Sequence, residues 1–83
     1  MTVHVRYFAS LREALGASEQ VAIDAGMTLG ALRDQLLARG GRHAEVLARG
    51  RAVRCALNQV MADETAVLTD GAEVAFFPPV TGG

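Results

Sequence analysis

Four short runs of alternating apolar and polar residues surround one segment with a helical period, and few architectures accommodate that order in 83 residues. In residues 2–8, Val3, Val5 and Tyr7 fall on one side, and His4, Arg6 and Phe8 on the other. Residues 19–24 alternate through Val21 and Ile23. Residues 51–58 turn Val53, Cys55 and Leu57 inward. Residues 72–77 place Val74 and Phe76 on one side, with Glu73, Ala75 and Phe77 opposite. A period of two marks half-buried strands. Pro78 and Pro79 end the last run, because proline has no N–H to donate to a ladder.

The helical segment follows Thr28. Thr28 suits an N-cap, and Met27 and Leu32 occupy hydrophobic-staple positions around it. Leu29, Leu32, Leu36 and Leu37 form an apolar face, with Arg33, Asp34 and Arg39 placed off it, and Gly40-Gly41 ends the helix. A shorter helical turn is expected at residues 10–16, where Ser10 and Glu13 read as a capping box and Gly16 as a left-handed close. Another is expected at 43–50. Residues 59–68 read as a short strand or turn, and 69–71 as a turn.

The order is therefore strand, strand, helix, strand, weak strand, strand. It predicts an α+β fold: a mixed sheet of about five strands with one main helix packed on one face. The other face is left for solvent or a partner. This is the β-grasp arrangement of ubiquitin-like proteins, with first and last strands as neighbours. Residues 1–77 form the expected domain and 78–83 an extended tail.

Composition excludes several functions. The net charge of −1 shows no basic stripe for nucleic acid, and no apolar run approaches the roughly 20 residues that span a bilayer. A lone cysteine, Cys55, builds neither a disulfide framework nor a zinc site, and its inward position suggests a small buried hydrophobe. A domain without disulfides fits a reducing compartment, here read as the cytoplasm. No catalytic triad, phosphate loop or paired-histidine motif is visible, so the chain alone makes a poor enzyme. His4 and His43 read as surface or edge residues. Every basic residue is arginine, so no lysine is available for lysine-linked self-conjugation.

The tail has chemistry of its own. Pro78 and Pro79 favour a stiff polyproline stalk, and about six residues reach roughly 20 Å. Val80 and Thr81 lead to Gly82 and Gly83, which lack a Cβ and fit a narrow channel. The terminal carboxylate of Gly83 reads as a handle. A carboxylate is a poor acyl donor and needs activation, most simply as an acyl-adenylate. Phe8 and Phe77 are expected on the open sheet face beside the tail root, with Met61 as an adaptable neighbour. Such a patch suits a protein interface.

Three stretches, residues 5–13 (VRYFASLRE), 56–59 (ALNQ) and above all 68–83 (LTDGAEVAFFPPVTGG), resemble the small subunit of molybdopterin synthase, a sulfur-carrier family. The resemblance implies a mechanism. A partner related to ubiquitin-activating enzymes spends ATP to adenylate Gly83, with no cofactor held tightly by the carrier. A persulfide donor then converts the adenylate to a thiocarboxylate. The tail, with Thr81 and Gly82 in the channel, enters the large synthase subunit, where the sulfur builds molybdopterin from cyclic pyranopterin monophosphate. The implied assembly pairs two large with two small subunits. Phe8, Phe77 and Met61 match the family's interface positions, Met61 standing where a leucine-like residue is common. Carriers for thiamine thiazole or cysteine synthesis are the nearest alternatives. A binding module with inert glycines is the other.

Overall fold

Alternation decides the sheet. The computed structural model describes residues 1–79. Its elements are β1 (Thr2–Tyr7), α1 (Ala9–Leu15), β2 (Ser18–Ala22), α2 (Leu29–Leu37), α3 (Gly41–Val46), β3 (Arg54–Leu57), β4 (Val60–Ala62) and β5 (Glu73–Phe77). The strands form one five-stranded sheet in the order β2-β1-β5-β3-β4. The first and last strands are parallel neighbours, with Val5 beside Val74 and Tyr7 beside Phe76. The other pairings are antiparallel. This is the expected β-grasp order, with the uncertain 59–68 stretch supplying β4.

The inward residues of the four long runs meet the helices in one core. Val3, Val5, Tyr7, Val21, Val74 and Phe76 pack with Leu11, Leu29, Leu32, Leu36 and Leu47. Cys55 lies in the same core as a small apolar group, and burial pushes its thiol pKa up. α2 begins as its sequence predicts: the Thr28 hydroxyl accepts a hydrogen bond from the Ala31 N–H at 3.1 Å. Gly30 lets α2 approach residue 64, since an added Cβ would lie 3.2 Å from the Glu64 side chain, and the Gly30 N–H donates to the Glu64 carbonyl. No helix among the described residues is long and apolar enough to cross a membrane.

Four local expectations are corrected. The Ser10–Glu13 capping box does not form: α1 starts one residue earlier, Phe8 is its N-cap, and Ser10 lies within the first turn. Gly16 closes α1 with φ 94° and ψ 176°, a positive-φ conformation outside the left-handed helical well. The later helical turn runs over Gly41–Val46 rather than 43–50, because Gly40 and Gly41 with positive φ start it instead of only ending α2. Arg33 is 4% exposed and faces the core rather than solvent. Its Nε donates to the Leu47 carbonyl at 2.7 Å, and its other nitrogens reach the Ala48 and Arg51 carbonyls and Glu64.

Candidate functional site

The open face of the sheet is built by register. Residues opposite one another across a pair point the same way. Ala75 lies between buried Val74 and Phe76 in sequence, so it points away from the core. Arg6 pairs with Ala75, Ala75 with Ala56, and Ala56 with Met61, so these four form one row across four strands on the open side. In the next row Phe77 pairs with Arg54. Phe8 follows Tyr7, whose partner is Phe76, and its N–H donates to the Phe76 carbonyl at 3.1 Å. Two alanines thus make a flat floor bounded by Phe8, Phe77 and Met61.

The structure therefore gathers the three expected interface residues on one face. Phe8 is 38% and Met61 57% exposed, while Phe77 is half-buried at the foot of the tail. Phe8 is also fixed in place. Its carbonyl accepts from the Leu11 N–H as α1 begins, and Ala9 turns the chain with φ 53°, a left-handed value that costs a residue with a Cβ about 1–2 kcal/mol. The Arg6 guanidinium carbon sits 5.4 Å from the centroid of the Phe8 ring, a cation–π contact. Met61 is presented by a two-residue hairpin in which Asn58 and Gln59 both have positive φ, the geometry that matches strand twist. The Asn58 Oδ1 accepts from the Glu73 N–H at 3.0 Å, and the Asn58 N–H donates back to the Glu73 carbonyl at 2.8 Å.

Pro78 leaves β5 beside a small groove of about 120 Å³, lined by Leu11, Val46, Arg51 and Val53 among others. Pro79 is half-buried. The remaining tail positions, Val80, Thr81, Gly82 and Gly83, lie outside the described residues.

On the covered side, a polar cluster missed by the sequence reading supports this end of the sheet. The Tyr7 hydroxyl donates to Glu19 Oε2 at 2.8 Å, His43 Nε2 lies 3.1 Å from the same oxygen, and Arg39 pairs with Oε1. Burial would raise the Glu19 pKa, but hydrogen bonds from Arg39, His43 and Tyr7 outweigh it and hold the carboxyl below its usual range. Burial, then the bond to Glu19, pushes the Tyr7 phenol well up. His43, read from the sequence as a surface or edge residue, has an acidic partner in Glu19. The pair is 24 residues apart in sequence, so no local signal pointed to it. Among the described residues, no group of three or more His, Cys, Asp or Glu side chains could hold a metal ion.

The chain has relatives along its whole length. The family model described as ThiS family matches residues 5–83. The molybdopterin synthase sulfur carrier subunit of Escherichia coli (strain K12) is 44% identical over 82 residues, covering 98% of this chain and 99% of that protein. The corresponding subunit of Mycobacterium tuberculosis is 41% identical over 83 residues, covering 98% of this chain and 96% of that protein. A solved complex of subunits 1 and 2 of molybdopterin-converting factor from Helicobacter pylori 26695 contains a chain with TM-score 0.70 and 27% identity, covering 100% of both chains. By family match and by full-length identity, the chain belongs to the ThiS family and to the molybdopterin synthase sulfur carrier subunits.

Proposed function

We propose that this chain carries sulfur on Gly83 and delivers it inside molybdopterin synthase, in the cytoplasm. The observation that carries the reading is the aromatic open face at the root of a Gly82–Gly83 tail. It occurs in a chain 44% identical to the Escherichia coli sulfur carrier subunit. The domain supplies grip and the tail supplies chemistry.

In this reading an adenylating enzyme related to ubiquitin-activating enzymes joins the Gly83 carboxylate to AMP at the expense of ATP, releasing pyrophosphate. The outer sulfur of a persulfide donor displaces AMP to form an acyl disulfide with the donor. A second thiol, acting as reductant, cleaves that S–S bond, releasing the thiocarboxylate and leaving a disulfide. Glycine suits the step because nothing at Cα hinders approach to its carbonyl. The loaded carrier then docks on the large synthase subunit through Phe8, Phe77 and Met61, as two small subunits with two large ones. The docked tail runs into the partner's pocket, where the sulfur passes to cyclic pyranopterin monophosphate. Residues of the partners do the acid–base work. This chain contributes the acyl group, the reach of its tail and the fixed angle at which Pro78 leaves β5.

Deleting Gly82 and Gly83 tests the reading. The truncated chain is expected to fold and to bind the large subunit, but to support no molybdopterin formation. Product formed at the full-length rate by the truncated chain would overturn it.

A further inference from the structure

Three arginines surround the tail root, and the aromatic patch does not account for them. Arg6 lies over the Phe8 ring, Arg54 stands opposite Phe77, and Arg51 lines the groove beside Pro78. Elsewhere in the fold Arg33 and Arg49 pair with Glu64 and Arg39 with Glu19, while Arg12 and Arg42 form no ion pair among the described residues. Arg6 has only Glu73, at 4.0 Å, and neither Arg51 nor Arg54 forms an ion pair among the described residues. The whole chain nevertheless carries a net charge of −1, so this positive end is a local feature and not a bulk one.

Resting on the sulfur-carrier reading above, we infer that Arg6, Arg51 and Arg54 form a basic rim that reads carboxylates around the mouth of the large subunit's tail channel. An interface places its apolar anchors at the centre and charged groups at the edge. That is the order found here: an alanine floor, then Phe8, Phe77 and Met61, with Arg6 and Arg54 on the flanks. Guanidinium groups match planar carboxylates, and Arg6 keeps its contact with the ring while its donors remain available. A polyanion such as nucleic acid fits less well. It would leave the aromatic floor uncovered and would meet a chain of negative net charge. The partner is therefore a protein surface with an acidic rim around an apolar seat. Rim charges act mainly on the rate of encounter and on its salt dependence.

The test is stopped-flow association of the full-length chain with purified large subunit, at low and at high salt. Four proteins are compared: wild type, Arg54→Glu, Phe77→Ala, and Arg42→Glu as a control. Arg42 is exposed on α3, on the helical side of the sheet. Arg54→Glu is expected to slow association by about tenfold at low salt, and the difference should shrink towards none at high salt. Arg42→Glu should have little effect. Equal or faster association of Arg54→Glu at low salt, with Phe77→Ala still weakening the complex, overturns the rim and leaves the carrier reading intact. Equal slowing by Arg42→Glu and Arg54→Glu also overturns it, since net charge would then suffice. Failure of the wild-type chain to bind overturns the carrier reading itself.

Discussion

The Nε–H of Arg33 donates to the carbonyl oxygen of Leu47 across 2.7 Å, tying the main helix to the segment that follows α3. The same guanidinium holds the Ala48 and Arg51 carbonyls and Glu64. Arg49 answers from the other side, donating to Asp34, Glu64 and the Gly30 carbonyl. Its bonds to Glu64 hold the Glu64 carboxyl below its usual range. Arg33→Met keeps much of the stem but leaves buried carbonyls unpaired. Chemical denaturation should show a loss of about 2–4 kcal/mol. Arg33→Lys should recover little of it, because an ammonium cannot span the same carbonyls. A loss below about 0.5 kcal/mol for Arg33→Met would show that the clamp is not structural.

The Glu19 cluster makes stability depend on pH. The folded state lowers this carboxyl's pKa from an ordinary value of 4.5. Its stabilisation is therefore fully present above that value and is lost as pH falls through the lower folded one. Glu19→Gln should cost about 1–3 kcal/mol at neutral pH and flatten the acid limb of the stability curve. The Tyr7 phenol is shifted upward from 10.0, so its contribution is full below that value and declines as pH rises beyond it. Urea denaturation across pH, with and without Glu19→Gln, checks both limbs. An acid limb unchanged by the substitution would contradict the assignment.

Asn58 holds the β3–β4 hairpin to β5 by two hydrogen bonds while adopting φ 51°. Asn58→Ala removes the side-chain bond and places a less tolerant residue in the left-handed region. The expected cost is about 1–2 kcal/mol. Because the hairpin carries Met61, large-subunit binding should weaken as well. Thermal unfolding and calorimetric titration read the two effects separately, and full stability in Asn58→Ala would refute the role.

Much of this was visible in the residues before the structure. Strict alternation located the strands, and Thr28 with the leucines after it located α2. Strong signals of these kinds arise where local geometry and burial agree. Arg33 shows a misread signal. Residues 29, 32, 33 and 36 follow the helical stripe, so position 33 was marked as buried by its spacing, and the charge of arginine argued against it. Ser10 failed as a cap because the Phe8 backbone is claimed by β5, which fixes where α1 starts. The Glu19–His43 pair and the Arg54–Phe77 pair depend on long-range register. Neither helical period nor strand alternation encodes which residues of distant elements meet. The open-face placement of Phe8 and Phe77 did follow from alternation, whereas Met61, in a stretch without clear alternation, and the alanine floor between the three required knowing the strand order.

Phe77→Ala should weaken binding to the large subunit by about 1–3 kcal/mol, the range of an interface anchor, with little loss of fold. Phe8→Ala should behave similarly, and Met61→Ala more mildly, since an exposed methionine gives adaptable contacts. Isothermal titration calorimetry measures each. Unchanged affinity for Phe77→Ala would remove it from the interface.

The central claim is that Gly83 carries the sulfur. Its most direct test is the intact mass of the full-length chain after incubation with ATP, an adenylating enzyme of the proposed class, a persulfide source and a thiol reductant. A gain equal to replacing one oxygen by one sulfur, mapped to Gly83 and absent without ATP, is the predicted result. No gain, from an adenylating enzyme that loads another carrier under the same conditions, would contradict it.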